Sequence, residues 1–413
     1  MLNRNTIVSL SRRYGSDPRW VIAGGGNTSV KDDSRLAIKA SGRPLGELTA
    51  DDLVEMDRPK LAAILEKDYP SDTARREAQA LADLMDARAP GQGELRPSVE
   101  TLMHDAFSQP LVVHTHPTAV NALTCAVDAP YVAQELFGED LVWVDDVNPG
   151  YVLGIVVAQR VSQFREDHGR EPWLMLLRNH GLVIAGETEQ QIINHHDAVM
   201  ETIRRALEAR HPAFPREILP GAVVRDTSGH DSAGRAEERL REAFARVASN
   251  AESGAAARAA TELQIVFEAA VDHPGLFDDR RDISRRLAEP FSPDHLVYAL
   301  RRPLLVDPAL VSGGGGGIET AGSSKPDLLA QAMSEYRAAT GTLPRVVVAP
   351  GIGTFGLAES NAVARAAAAL CVDALLISHG AEAFGGPRFM PAEQIEFIAS
   401  WEVERFRLKQ SQG

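Results

Sequence analysis

The feature that most constrains the fold is an alternation of short apolar runs with longer amphipathic runs, from residue 1 to about residue 210. The short runs have the length and composition of β-strands, and the longer ones have helical periodicity. The strand candidates are WVIAG, RLAIKA, LVVHT, LVWV, WLMLL and LVIAG. The helix candidates include TARREAQALADLMDAR, SVETLMHDAF, GYVLGIVVAQRVSQFRED and TEQQIINHHDAVMETIRRALEAR. This alternation predicts an α/β domain over residues 1–215.

A linker and a second domain are predicted beyond this region. The segment HPAFPREILPGAVVRDTSGHDSAG is rich in proline, glycine and small polar residues and lacks periodicity. After it come the helical runs RAEERLREAFARVAS and AARAATELQIVFEAAV, and then the strand-like runs HLVYAL and RVVVAP with PDLLAQAMSEYRAAT between them. Two further helical runs close the chain, SNAVARAAAALCVDALLISHG and PAEQIEFIASWEVERFRLKQ. We therefore predict a second, smaller α/β domain over residues 216–413.

Charge and cysteine content exclude several classes of protein. A net charge of −14 disfavours nucleic acid or an anionic membrane as the main partner, because both select basic surfaces. Only Cys125 and Cys371 occur, and we assign them to different domains, so neither a disulfide framework nor a cysteine metal site is expected. The amino terminus lacks an apolar signal core, and we find no run of about 18 apolar residues. We expect a cytoplasmic protein with no nucleic-acid partner and no membrane partner.

Three histidines form the first candidate site. His114 and His116 end the apolar run VVHTH, and alternate residues of a strand project from one face. His180 lies in RNHGL beside Gly181, where a tight turn separates two apolar runs. A lone histidine is more often structural, but three imidazoles with an open fourth position are typical of a catalytic zinc. Manganese, iron or cobalt can occupy the same kind of site.

A carboxylate precedes the histidine strand in the segment RPSVETLMHDAF. Ser98 is expected to cap a helix whose first turn contains Glu100, and the free N–H groups there can hold an anion such as phosphate. Glu100 is then a candidate base, and the alternative is a residue that only stabilises the helix dipole. We expect His104, one turn later, to serve packing rather than metal binding.

Two glycine-bearing turns add candidate anion ligands. In AGGGNTSVK and KASGRPLGEL, glycine stands beside small hydroxyl or amide side chains after a strand-like run. Such turns present several N–H groups into a concavity. Together with Ser98 they provide three segments that can converge on one phosphate.

These motifs, GGGNTS, SG, RPSVE, VVHTHP and NHGLVIAG, occur in an order and at spacings that resemble the class II aldolase/adducin family over about residues 5–210. The resemblance implies a three-layer αβα domain, a homo-oligomer, which we expect to be a tetramer, and a sugar phosphate as substrate. It implies that His114, His116 and His180 bind Zn²⁺ and that Glu100 is the catalytic residue. It assigns the phosphate pocket to Asn27, Thr28, Ser41, Gly42 and Ser98.

Family aldolases often have two serines before the glutamate, whereas Val99 follows Ser98 here, so one hydroxyl is missing. Related enzymes take a tyrosine acid from a neighbouring subunit, for which Tyr131 is a candidate beside its simpler role as a helix-start aromatic.

The region of about residues 285–410 resembles the middle part of bifunctional proteins that join this module to a short-chain dehydrogenase, in SPDHLVYALRRPLLV, VVVAPGIGTFGLA and FIASWEVERFR. The chain stops where the dehydrogenase begins in those proteins, so we do not carry a redox function over from this resemblance. The tract GGGGG is expected to be flexible, and PGIGTFG does not match the dinucleotide fingerprint.

Three functions remain open. The first is a zinc-dependent aldolase that cleaves or forms a ketose phosphate or related hydroxy-ketone through an enediolate. The second is a sugar-phosphate 4-epimerase that uses the same retro-aldol step. The third is a non-catalytic, adducin-like assembly module, and the presence of Glu100 together with all three histidines disfavours it.

Overall fold

A computed structural model of the chain describes residues 2–211, 231–249, 263–273, 275–312, 327–403 and 406. Contacts divide the chain into two compact units. The first contains Met1–Ala222 and Ile377–Ser411, and the second contains Val223–Leu376 with Gln412–Gly413. The predicted boundary near residue 215 lies outside the described residues. The grouping of residues 377–411 with the first unit differs from a single cut at that position.

The first unit is built on a mixed sheet that has seven strands among the described residues. The strands are β1 (Asn27–Lys31), β2 (Arg35–Lys39), β3 (Leu53–Asp57), β4 (Leu111–Thr115), β5 (Leu141–Val144), β6 (Leu174–Leu177) and β7 (Gly181–Gly186). Their order is β3-β2-β1-β4-β7-β6-β5, and every pair is antiparallel except β5 with β6. Strand β4 is therefore central, with β1 on one side and β7 on the other.

Helices cover both faces of this sheet. They are α1 (Arg4–Gly15), α2 (Arg58–Glu66), α3 (Thr73–Asp86), α4 (Thr101–Asp105), α5 (Thr118–Thr124), α6 (Ala129–Phe137), α7 (Tyr151–His168) and α8 (Glu189–Arg210). Side chains of α1, α5, α6 and α8 pack with Leu111 and Val113 of β4, whereas α4 and α7 pack with Val112 on the opposite face. All five residues of β4 are buried because both of its faces are covered. The predicted three-layer α/β fold is confirmed.

Local sequence explains where several of these helices begin. The side chains of Asp57, Asp72 and Thr188 each accept a hydrogen bond from the backbone N–H three residues later. Such caps satisfy a donor that the helix itself leaves unpaired, and each contributes about 1 kcal/mol. The long helix α8 starts at one of these caps and packs its apolar face on β7. The sheet and its flanking helices thus hold β4 and β7 in a fixed register.

The second unit contains a smaller sheet of order β8-β11-β10-β9 among the described residues. Its elements are α9 (Asp231–Ser249), β8 (Gln264–Ala269), α10 (Arg280–Arg286), β9 (Leu304–Leu305), α11 (Pro308–Ser312), α12 (Leu328–Thr340), β10 (Val346–Ala349) and β11 (Gly353–Ala358). Helix α13 (Asn361–Ala381) follows, and α14 (Ala392–Ser400) belongs to the first unit. The predicted second α/β domain is therefore a sheet-containing unit, as expected.

Several predicted elements differ from the structure. WVIAG forms turns and loop rather than a strand, and HLVYAL contains a π-helix at His295–Ala299. The run at 264–269 has a helical pattern in the sequence but forms strand β8, which pairs with β11. Gly353 of PGIGTFG begins β11, so this motif leads into a strand rather than a helix. The tract GGGGG lies outside the described residues.

One described helix, Asn361–Phe384, is long and apolar enough to cross a membrane, with a mean hydropathy of 1.5 in its best window. The helix is not a continuous apolar run, because Arg365 and Asp373 interrupt it. In the structure 78% of that window is buried, and core helices of water-soluble proteins pass the same test. The segment is therefore weak evidence for a membrane span.

Candidate metal centre

The sheet register brings the three predicted histidines together. His114 lies in β4, His116 follows the strand, and His180 immediately precedes β7. Because Thr115 pairs with Leu182, the end of β4 meets the start of β7. The candidate ligand nitrogens of the three imidazoles lie within 4.8 Å of one another. This donor set fits a divalent transition metal, for which imidazole is a preferred ligand.

The hydrogen bonds of His114 orient it for metal binding. Its Nδ1 lies 2.9 Å from the carbonyl oxygen of Leu182, which can only accept, so Nδ1 carries the proton. The unprotonated Nε2 faces the cluster and lies 2.9 Å from Nε2 of His116. Burial lowers the pKa of His114 well below its usual value, so the ring is neutral. A neutral imidazole with a fixed Nδ1–H is the form that ligates a metal through Nε2.

Gly181 permits the close approach of these rings. A Cβ atom at this position would lie 2.5 Å from the carbonyl oxygen of Thr115 and 2.8 Å from the His116 ring. Backbone and ring atoms this close leave no room for a side chain. Glycine after His180 is thus required by packing at the site.

Glu100 lies against the histidine cluster. Its carboxylate is 3.2 Å from Nε2 of His180 and 3.6 Å from Nε2 of His114, and the side chain is 9% exposed. Burial by itself raises the pKa of Glu100, but the adjacent His180 and hydrogen bonds from His180 and Asn27 hold it well below its usual value. Helix α4 begins only at Thr101, so Glu100 precedes the first turn and its side chain makes no capping bond. Glu100 nevertheless occupies the N-cap position of this helix, so the helix-dipole role stays an alternative that the Glu100→Gln variant tests.

A buried chain of hydrogen bonds holds the carboxylate of Glu100. Asn27 Nδ2 donates to Glu100 at 2.5 Å and to Ser98 Oγ at 3.1 Å. The amide oxygen of Asn27 accepts from Nε2 of His104, whose Nδ1 lies 2.8 Å from the hydroxyl of Ser29. Burial lowers the pKa of His104 to about 3, so its ring is neutral and the hydroxyl donates to Nδ1. Every donor in this chain therefore points towards Glu100.

The residues predicted for a phosphate pocket fall into two groups. An isolated bridge between Ala40 and Pro97 and a hydrogen bond from Ser41 N to Arg96 O set the turn of Ser41 and Gly42 beside the segment that carries Ser98. Thr28 lies elsewhere, because adjacent strand residues face opposite sides of the sheet. Its hydroxyl is 2.7 Å from that of Ser11 on α1, on the opposite face from the Asn27 side chain. Its side chain is thus not part of the cluster around Glu100.

Two cationic features near these turns were missed by sequence-based prediction. Lys39 is buried and donates to the carbonyl oxygens of Gly24 and Arg43, so it links both glycine-bearing turns. A cavity of about 350 Å³ opens beside them, and Ser41, Arg43 and Arg96 contribute to its wall. The signals available in the sequence were Lys39 and Arg43 on either side of the SG pair and Arg96 directly before the PS pair. Tyr131, the candidate acid, is 74% exposed at the start of α6.

Residues 5–207 match the family model described as the Class II Aldolase and Adducin N-terminal domain. These residues of the first unit form a class II aldolase-like domain. The N-terminal class II aldolase domain of a conserved protein from Thermoplasma acidophilum is 24% identical, with a TM-score of 0.42, and the match covers 49% of this chain and 92% of that one. L-fuculose-1-phosphate aldolase from Thermus thermophilus is 19% identical, with a TM-score of 0.33 and coverages of 50% and 96%.

A longer relative matches nearly the whole chain. The Bacillus subtilis (strain 168) protein described as uncharacterized oxidoreductase YuxG is 24% identical over 97% of this chain. The chain spans 58% of that relative's length. The aldolase-type domain is thus joined here to a second unit that also has a counterpart in a larger protein.

Proposed function

We propose that the first unit is a metal-dependent aldolase that cleaves or forms a ketose phosphate or a related hydroxy-ketone. The observation that carries this proposal is the buried, ionised carboxylate of Glu100 beside three imidazoles whose ligand nitrogens converge. Binding alone would not need a base held in this way. The domain family supports the same class of chemistry.

His114, His116 and His180 would hold the metal, with Zn²⁺ as the proposed ion. When bound, a metal of this kind polarises a substrate carbonyl and stabilises the negative charge that develops on its oxygens. The chain's contribution is to present three converging imidazoles, of which His114 is fixed by its bond to Leu182. A metal held by three protein ligands would have a further position for substrate oxygens.

Glu100 would take the proton from the carbon beside the substrate carbonyl and return it in the reverse direction. The bond from Asn27 and the network behind it hold the carboxylate in one orientation, which lowers the entropic cost of the transfer. Ser41, Gly42 and Ser98 would bind the substrate phosphate, and Arg43 and Arg96 supply positive charge at the wall of the neighbouring cavity. The residue that protonates the aldehyde oxygen is proposed to be Tyr131 of a neighbouring subunit.

The test is a metal-loaded, full-length preparation incubated with a set of ketose 1-phosphates and ketose 5-phosphates. Release of a three-carbon ketone and an aldehyde, one of which carries the phosphate, supports the aldolase. Formation of the C4 epimer without released aldehyde would instead establish a 4-epimerase. Neither product from metal-replete protein, with Glu100→Gln as the blank, would refute the proposed class of reaction.

A further inference from the structure

The residue before the ligand His180 has an unusual backbone conformation. Asn179 has a φ of +52° and is 2% exposed. Left-handed backbone is uncommon for residues other than glycine and persists where the surroundings hold it. The conformation of Asn179 sets the direction in which the chain enters His180.

Arg388, from the segment between α13 and α14, holds the Asn179 side chain at both ends. Its Nη1 donates to Asn179 Oδ1 at 2.8 Å, and its carbonyl oxygen accepts from Asn179 Nδ2 at 2.9 Å. The two residues are 209 positions apart, and both belong to the first unit. A reciprocal pair of bonds fixes the amide plane of Asn179, since both polar atoms of the amide are engaged.

Arg388 is itself fixed. Its guanidinium makes a two-pronged contact with Asp146, with distances of 3.1 and 2.5 Å, and its backbone N–H donates to the carbonyl oxygen of Cys125 at 2.7 Å. The planar fork of arginine pre-organises such contacts better than a lysine ammonium. Arg388 can therefore act as a rigid support rather than as a mobile surface charge.

We propose that Arg388 is a positioning residue for the metal ligand His180, and that it acts through Asn179. This inference rests on the metal centre proposed above. Arg388 lies outside the residues that match the aldolase family model, so the carboxyl-terminal segment supplies a support that the domain's own motifs lack. Loss of the guanidinium leaves Asn179 Oδ1 without its charged donor, and the strained turn can then relax and turn His180 away from the other two imidazoles.

The experiment measures metal binding by the full-length chain, independently of activity. Zn²⁺ affinity is measured by competition with a chromophoric chelator, and Co²⁺ is added to report ligand geometry through its visible absorption bands. Arg388→Ala is expected to weaken Zn²⁺ binding by about 10- to 100-fold, the usual effect of losing an outer hydrogen-bond partner, and to change the Co²⁺ spectrum. Arg388→Lys keeps the positive charge but not the planar guanidinium, so we expect a smaller loss of Zn²⁺ affinity than in Arg388→Ala. This variant replaces Arg388→Ala in the test if the alanine variant folds poorly.

Arg210→Ala is the matched control. Arg210 pairs with Glu135 at 2.7 Å, and its side chain is 32% exposed against 30% for Arg388. This variant should keep wild-type affinity and spectrum. Equal losses in both variants, or unchanged metal binding in Arg388→Ala, would overturn the proposal.

A second background tests the route through Asn179. Glycine adopts a positive φ readily, so in Asn179→Gly the backbone conformation no longer depends on a side-chain amide held by Arg388. Adding Arg388→Ala to this variant should therefore cause little further loss of Zn²⁺ affinity. An undiminished effect of Arg388→Ala in that background would show that Arg388 does not act through Asn179. If the wild-type chain binds neither Zn²⁺ nor Co²⁺, the metal centre itself is refuted, and this inference with it.

Discussion

The carboxylate of Glu100 lies 3.2 Å from Nε2 of His180, although 80 positions separate the two residues in the chain. Asn27 holds the other carboxylate oxygen at 2.5 Å. The acid is thus fixed on one side by an amide and meets the imidazole cluster on the other. A group in this position can move a proton to or from a substrate bound at the cluster.

Glu100→Gln tests the role of the carboxylate. The change preserves size but removes the base, so we expect turnover to fall by roughly 10²–10⁴-fold, with metal content unchanged. Carbon-acid proton exchange, metal content and melting temperature are measured on one preparation. Glu166→Gln, an exposed position on α7, should leave all three unchanged. Near-normal exchange in Glu100→Gln would remove Glu100 from the mechanism.

His116→Ala removes one of the three imidazoles. The wild-type chain should retain close to one equivalent of zinc after dialysis, and the variant should retain less. Because a direct ligand is lost, Zn²⁺ affinity should fall by more than the ~10- to 100-fold expected when an outer hydrogen-bond partner is lost. The exposed His168, changed to alanine, is the control. Retention of full zinc stoichiometry and affinity by His116→Ala would place the metal elsewhere or nowhere in the chain.

Ser98 and Thr28 separate the two groups of predicted phosphate residues. Ser98→Ala should raise KM for a phosphorylated substrate, because its hydroxyl lies in the Asn27–Glu100 cluster. Thr28→Val should leave KM unchanged and cost about 1 kcal/mol of stability, since it removes only the bond to Ser11. Substrate titration and urea unfolding of both variants test this, and an equal rise in KM would contradict the assignment.

Local sequence predicted much of the site because its signals are short. The i, i+2 spacing of His114 and His116 on a strand and the His-Gly turn at His180 can be recognised within a few residues. The sequence does not predict the opposite orientations of Asn27 and Thr28, because GGGNTS has the composition of a turn, whereas β1 begins at Asn27. Once the strand is known, alternation separates the two side chains.

Other features depend on distant partners. The apolar run HLVYAL has no periodicity that distinguishes strand from helix, and burial of most of the run allows the π-helix that forms. The run at 264–269 becomes a strand through pairing with β11, some 90 residues later. The contact between Asn179 and Arg388 spans 209 positions and leaves no local signal.

The buried His196 should make the free energy of unfolding depend on pH. It stacks on Tyr14 with ring centroids 4.2 Å apart, and burial lowers its pKa from 6.5 to about 3. Below about pH 6.5 the unfolded chain binds a proton that the folded chain excludes, so stability falls as pH drops towards 3, by up to ~1.4 kcal/mol per pH unit. His196→Phe keeps an aromatic ring and should flatten the pH profile of urea unfolding over this window. The exposed His168→Phe should not, and identical profiles for wild type and His196→Phe would refute the prediction.

The final prediction is that the protein forms a homo-oligomer, which we expect to be a tetramer. We propose that the chains contact one another at the start of α6. Val127 is 52% exposed and Tyr131 is 74% exposed, whereas large apolar side chains elsewhere in the described residues are nearly all covered. Burying them against another copy would remove apolar area from water, and a charge placed there would prevent it. Light scattering should give a multiple of the 44.6 kDa chain mass for wild type and a lower mass for Tyr131→Asp. Leu328→Asp, an equally apolar and 52% exposed position in the second unit, should leave the mass unchanged. A wild-type mass of one chain under assay conditions would refute the assembly, and with it the supply of a tyrosine from a neighbouring subunit.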